Sequence, residues 1–379
     1  MNKKTLIIIG CSFIGILVLL LVVVWLMTMM GSNYLSYERV EDKIVEATKK
    51  YYADHADLLP VYDGKYSLDY NTLVNGEYIK PLNEILKDGD KCTADIIVIK
   101  SGVDYSYIPR LDCGDNYKTI ELYRQILNDN QVVLSGSGLY RETDGSYYFR
   151  GKVTNNYFAM GVNDTNSDKE LLWQIIGINS DNTVKIRAIY GTEDNSEFDG
   201  RYNIDKDTNY GYNTFEDSTM KDFLKRLETN GKFLTPEQKA KLVSKKICIG
   251  KRSETETVNN GSIECSSLSN ETFMFSTLLP YEFLRASLDE NCKTVNDRSC
   301  ENLNYLAYQS SSEWSTTPSA TDSYRVYAFY GTYYGLSAAS NPKTLHVVAN
   351  LNEYSFYKSG TGTMEDPYRI FKVVDKSTN

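Results

Sequence analysis

The chain has 379 residues, 41% hydrophobic and 24% charged, with a formal net charge of −9. That size and balance predict two folded units and exclude a disordered polymer. With no Lys/Arg cluster to offset the acidity, nucleic acid is excluded as a partner, because its phosphates would be repelled.

Lys3 and Lys4 precede an uncharged apolar run of 26 residues, Thr5 to Met30. As a helix rising ~1.5 Å per residue it would extend ~39 Å, enough to cross a bilayer with some tilt. It is too long for a signal-peptide core and ends in WLMTMM, without a small-residue cleavage site. Ile8-Ile9-Gly10-Cys11 fits a lipoprotein-cleavage consensus, but the apolar run continues far beyond Cys11. The two lysines keep the N-terminus cytoplasmic. The expectation is a cytoplasmic tip (1–4), a single transmembrane anchor (5–30) and an extracellular remainder (31–379). Six cysteines then fall in an oxidising compartment: Cys92, Cys113, Cys248, Cys265, Cys292 and Cys300. Six allow fifteen connectivities.

After the anchor, Tyr37, Val40, Ile44, Ala47 and Tyr51 recur at helical spacing, and Pro60 ends the pattern. A short helix is expected in SLDYNTLVNGEYI, closed by Gly76. CTADIIVIKSGVDYSYIPRLDC reads as a hairpin turning at Gly102-Val103. That register sets Cys92 opposite Cys113, which predicts their disulfide.

A membrane helix whose outer half packs on a small antiparallel sheet with a C-terminal disulfide resembles a type IV pilin or pseudopilin subunit, over about residues 5–125. The chain departs from that family in lacking Gly-Phe-Thr-Leu-Ile-Glu and an early glutamate in the apolar helix. The departure implies a permanently anchored stalk (31–128), with self-association through the N-terminal helix as a possible partner mode.

Asn128–Val132 reads as a linker. LYRETDGSYYFRGK predicts a hairpin at Asp144-Gly145, and LLWQIIGINSDNTVKIRAIYG another at Ser180–Asn182. EDSTMKDFLKRLETNG predicts a helix with Met220, Phe223, Leu224 and Leu227 on one face. LTPEQKAKLV predicts a second with a Thr235/Gln238 capping box, and PYEFLRASL a third. Cys248–Cys265 and Cys292–Cys300 would each close a local loop, although other pairings remain open.

The series NNYFAMG, LLWQIIGINSDNTVKIRAI, DSTMKDFLKRL, STLLPYEF, SSEWSTTPS, VVANL and SGTGTMEDPYRI resembles a domain of membrane-anchored surface proteins of Gram-positive bacteria. That domain is uncharacterised in function and related in fold to C-type lectins and formylglycine-generating enzymes. The resemblance implies a C-type-lectin-like α+β domain rich in antiparallel hairpins (129–372), followed by a tail (373–379). His346 and Val347 stand where the family usually has Arg-Pro. The fold class expected for the whole chain is therefore α+β, with one N-terminal transmembrane helix, a small pilin-like domain and a lectin-like domain.

Catalysis is not expected. Ser180-Asp181-Asn182, Ser218-Thr219-Met220-Lys221 and Lys343-Thr344 echo penicillin-binding motifs in the wrong order, and Leu345 replaces the required glycine. Formylglycine-type chemistry needs a cysteine pair near the C-terminus, and none follows Cys300. DKDTNYGYNTFE offers Asp205, Asp207, Asn209, Asn213 and Glu216 at calcium-loop positions. However, Tyr210 occupies the sixth position and Gly211 comes one place late, so the segment also reads as a polar loop. No other cofactor is implied. YRVYAFYGTYYGL (324–336) reads as a hairpin about Gly331-Thr332, with Tyr327, Phe329, Tyr334 and Leu336 facing the core. Its other face offers Tyr324, Tyr330 and Tyr333, which with Trp314 are the candidate contacts to an extracellular glycan, cell-wall polymer or protein; the function expected is a surface-anchored binding protein, and the alternative is a structural pilin-like component of an envelope assembly or secretion system.

Overall fold

The computed structural model describes residues 34–102, 104–163, 166–190, 193–230, 233–308 and 312–370. The expected anchor, the cytoplasmic tip and the tail lie outside these residues. Among the described residues, no helix is long and apolar enough to cross a membrane. The fold is α+β, with several antiparallel sheets and few helices.

The chain divides into two compact units, one running to Thr119 and the other covering Ile120–Lys372. The break falls before the stretch expected to be a linker, because Leu122–Asp129 is a helix that buries Leu122 and Ile126 in the second unit's core.

In the first unit, Ser36 caps a helix over Tyr37–Asp54, its side chain accepting from the backbone N–H of Arg39. The helix ends at His55, earlier than Pro60 suggested. It buries Val40, Ile44, Ala47 and Tyr52 against a sheet of β1 (Gly64–Asp69), β2 (Thr93–Ser101) and β3 (Asp104–Asp112), in that order. β1 was not anticipated, since its residues lack an alternating apolar pattern and most of the strand is exposed. Asp69 closes it and caps the expected short helix, Tyr70–Asn75. In the β2–β3 hairpin Ser101 pairs with Asp104 and Thr93 with Asp112. The next positions outward are Cys92 and Cys113, joined as predicted.

The second unit contains β4 (Gly138–Arg141), β5 (Tyr147–Arg150), β6 (Tyr157–Asn163), β7 (Asn166–Ile178), β8 (Val184–Ala188) and β9 (Glu193–Ser196). The expected helix follows as Thr219–Asn230, with Met220, Leu224 and Leu227 buried. The Thr235/Gln238 capping box forms, but its helix is a single turn, Pro236–Lys239. Then come β10 (Lys245–Cys248), β11 (Leu268–Phe273), β12 (Phe275–Ser276) and helix Pro280–Ala286. The last strands used below are β13 (Glu313–Pro318), β14 (Arg325–Phe329), β15 (Tyr334–Ala338), β16 (Lys343–Leu345) and β17 (Val348–Leu351).

These strands form one sheet ordered β12-β17-β8-β7-β5-β4, with β6 also on β7, and another ordered β15-β14-β13-β16-β9. All their pairs are antiparallel except β13–β16. The remaining disulfides are the local ones, Cys248–Cys265 and Cys292–Cys300. Two apolar clusters flank β14: Val326 and Ala328 belong to one, Tyr327 and Phe329 to the other. β14 is thus buried on both faces.

Candidate binding surface

The β14–β15 hairpin has the expected register, with Tyr327 opposite Leu336 and Phe329 opposite Tyr334. Gly331 turns it at φ +83°, and the Tyr330 N–H donates to the Tyr333 carbonyl at 2.9 Å. Tyr327, Phe329 and Tyr334 are buried as expected, and the Tyr334 hydroxyl donates to the Leu278 carbonyl.

The opposite face is corrected. Between the tyrosines expected on it, Val326 and Ala328 are fully covered. Tyr330 and Tyr333 stack at 5.3 Å between two cations. The Arg298 guanidinium lies 4.6 Å from the Tyr333 ring, and the Lys343 ammonium 4.9 Å from the Tyr330 ring. Lys343 is also 5.3 Å from the Trp314 ring, and burial lowers its pKa. Trp314 is a core residue whose indole donates to the Ser196 carbonyl at 2.9 Å. Trp314 has no solvent face and acts in packing, whereas Tyr330 and Tyr333 are half-buried and held by these cations.

Tyr324 belongs to a different surface. Its ring stacks on Tyr210 at 5.3 Å, and Tyr210 comes from the loop first read for calcium. That loop, 199–213, is pinned at its base. The buried carboxylate of Asp199 accepts from Arg201 at 2.6 Å and from the Tyr212 N–H at 3.2 Å. The buried Asn213 amide donates to the carbonyls of Asp322 and Arg325, and the Asn203 amide to that of Gly211. Gly211 sits at φ +76°, where an added Cβ would lie 2.0 Å from the Asp199 carbonyl oxygen, so only glycine fits. Above this framework Tyr202, Ile204 and Tyr210 are 49%, 77% and 46% exposed.

The five calcium candidates are not brought together as a ligand set. The side-chain nitrogen of Asn213 is committed to backbone carbonyls, and Glu216 accepts from the Asn270 N–H at 2.6 Å while pairing with Lys221 at 3.1 Å. Asp207 takes the Tyr202 hydroxyl, and Asp205 and Asn209 face solvent. Among the described residues no group of three or more His, Cys, Asp or Glu side chains is placed to hold a metal. The one-residue displacement of Gly211 moves the turn, and the loop closes on itself through an Asn203–Thr208 bridge.

A second polar cluster is internal. Arg187 and Glu313 form a buried ion pair at 2.6 Å, and the Tyr308 hydroxyl bonds Glu313 at 2.6 Å and lies 3.1 Å from His346 Nδ1. Burial opposes the charge on Arg187, but Glu313 and Tyr308 outweigh it and hold the guanidinium above its usual range. His346 is pushed down by burial, so its ring is neutral near pH 7. The arrangement ties β8 to β13 and to the segment before β17.

Comparison of the chain with family models, with curated proteins and with solved structures gave no match. The exposed residues missed by sequence reasoning are Tyr202, Ile204 and Tyr210. Their signal was present in RYNIDKDTNYGY, where bulky side chains interrupt a polar loop that has no strand or helix period to bury them.

Proposed function

We propose that this chain is a single-pass surface protein, anchored by residues 5–30 with its N-terminus in the cytoplasm. Its second unit acts as a lectin-like module that binds an extracellular glycan. The supporting observation is the exposed Tyr210, stacked on the half-buried Tyr324, with Tyr202 and Ile204 exposed beside it, on a loop whose base is locked by hydrogen bonds. Tyrosine rings give a ligand large contact area with little side-chain entropy to lose, and their hydroxyls add polar contacts. A loop already fixed before binding avoids the ordering cost that weakens flexible sites. The reading needs no metal and no catalytic residue.

The test is a glycan array that includes purified cell-wall polysaccharides, probed with the full-length protein in detergent. Binding is expected to one glycan class, and Tyr202→Ala with Tyr210→Ala should weaken it about ten-fold or more, the loss of about 1.4 kcal/mol. The melting temperature of the variant should stay close to that of the parent. No binding across the array, or binding indifferent to both substitutions, would reject the proposal.

A further inference from the structure

Beside helix Tyr37–Asp54 the first unit has a cleft of about 520 Å³, within the size range of small-molecule sites. Lys43, Glu46 and Lys50 line it from one row of that helix. Glu77, Lys80 and Glu84 line it from the segment that follows helix Tyr70–Asn75. All six residues are exposed. Lys80 and Glu84 pair with each other at 3.6 Å on their own wall. Among the described residues the Lys43, Glu46, Lys50 and Glu77 side chains have no hydrogen-bond or ion-pair partner. Between the walls Val74 and Ile79 add half-buried apolar surface.

The backbone at Glu77 is an independent observation. Helix Tyr70–Asn75 closes with the Tyr78 N–H donating to the Leu73 carbonyl at 2.9 Å and the Glu77 N–H to that of Val74 at 3.0 Å. This closure needs a left-handed residue just past the cap, where glycine is the usual choice. Gly76 stands one place early, at φ −86°, so Glu77 takes the left-handed position at φ +60°. A side chain there costs stability, and no contact of the Glu77 carboxylate among the described residues offsets the cost. What the strained position does secure is a carboxylate on the wall of the cleft.

Charges of both signs on both walls decide the ligand. An anion would meet three carboxylates and a cation three ammonium groups. An apolar molecule would strip water from all of them without replacing it. A free amino acid brings one charge of each sign, whereas two ammonium groups and two carboxylates stand unpaired in the cleft. We propose that this cleft binds a short peptide through its ammonium and carboxylate groups, with Glu77 taking an ammonium and Lys43 and Lys50 taking carboxylates. The inference is independent of what the second unit binds.

The test is saturation-transfer NMR on the full-length chain in an uncharged detergent. The probe is the tripeptide Glu-Leu-Lys, which carries two ammonium and two carboxylate groups, against acetyl-Gln-Leu-Gln-amide, which is of similar size and carries none. The charged peptide should bind with a Kd of about 1 mM or tighter, and its neutral analogue should not. Glu77→Gln should weaken binding about ten-fold and leave the melting temperature unchanged. Glu77→Gly should weaken it as much while raising the first unit's melting temperature by about 4 °C, because glycine relieves the left-handed strain. No binding of Glu-Leu-Lys, equal binding of the neutral analogue, or full affinity in Glu77→Gly would overturn the proposal. So would a melting temperature lowered by Glu77→Gln, which would show that the carboxylate serves the fold by pairing with a lysine across the cleft.

Discussion

Glu41 sits at 1% exposure on the buried side of the first helix, where the Tyr117 hydroxyl donates to it at 3.0 Å and Thr119 donates to its other oxygen. Burial is the largest influence on it and raises its pKa from the ordinary 4.5 to about 7, with Asp42 and Glu38 adding to the rise. The sign follows from proton counting. Between those two values the folded state holds a proton that the unfolded state has released, so stability is full below the lower value and is lost as pH rises through the upper one. The loss has an upper bound on the order of 3 kcal/mol. Glu41→Gln should remove this component, and the difference in urea midpoint between parent and variant should therefore change between pH 4.5 and 7.5. A difference that does not move with pH would show that Glu41 is already charged in the fold. The sequence did place this residue on the helix, but not on its buried face, because a carboxylate in an apolar stripe reads as an interruption.

At the scale of elements, the 199–213 loop shows how a backbone requirement can carry a surface. Gly211 alone permits the close approach to Asp199 that lets Tyr212 and Asn213 reach their partners. Gly211→Ala should destabilise the second unit by about 2 kcal/mol and open the loop to proteolysis between residues 200 and 212. Tyr210→Ala, which removes an exposed ring, should shift stability by less than about 1 kcal/mol. Urea titration with limited proteolysis separates the two, and equal behaviour would contradict the assigned roles. Turn chemistry explains why several elements were legible. The hairpins at Gly102 and Gly331, the helix stop at Gly76 and the cap at Thr235 rest on neighbours within a few residues. The helix after Thr235 was not fully legible: it stops after one turn because Leu242 and Val243 leave it to bond with Leu351 and Asn350 at the edge of β17.

For the whole molecule, the separate cores mean that covalent ties act locally. The Cys92–Cys113 bridge spans 21 residues wholly within the first unit. Removing it by Cys92→Ser with Cys113→Ser should cost that unit about 3 kcal/mol. Hydrogen exchange of the second unit's core strands should stay at parent values, and loss of protection in β7 or β8 would show that the two cores are coupled.

By itself the sequence determined the α+β class, the β2–β3 and β14–β15 registers and the Cys92–Cys113 pairing. Each depends on periodicity or on residues close along the chain, where local sterics and hydrogen bonding decide the outcome. Only the tertiary structure decided that Trp314 is packing, since the strand that brings Ser196 and the one that brings Lys343 to it are distant in sequence. It also joined Tyr324 to Tyr210. Those outcomes depend on which distant segments cover a given face, and the two faces of a strand look alike in sequence until a neighbour is placed on one of them.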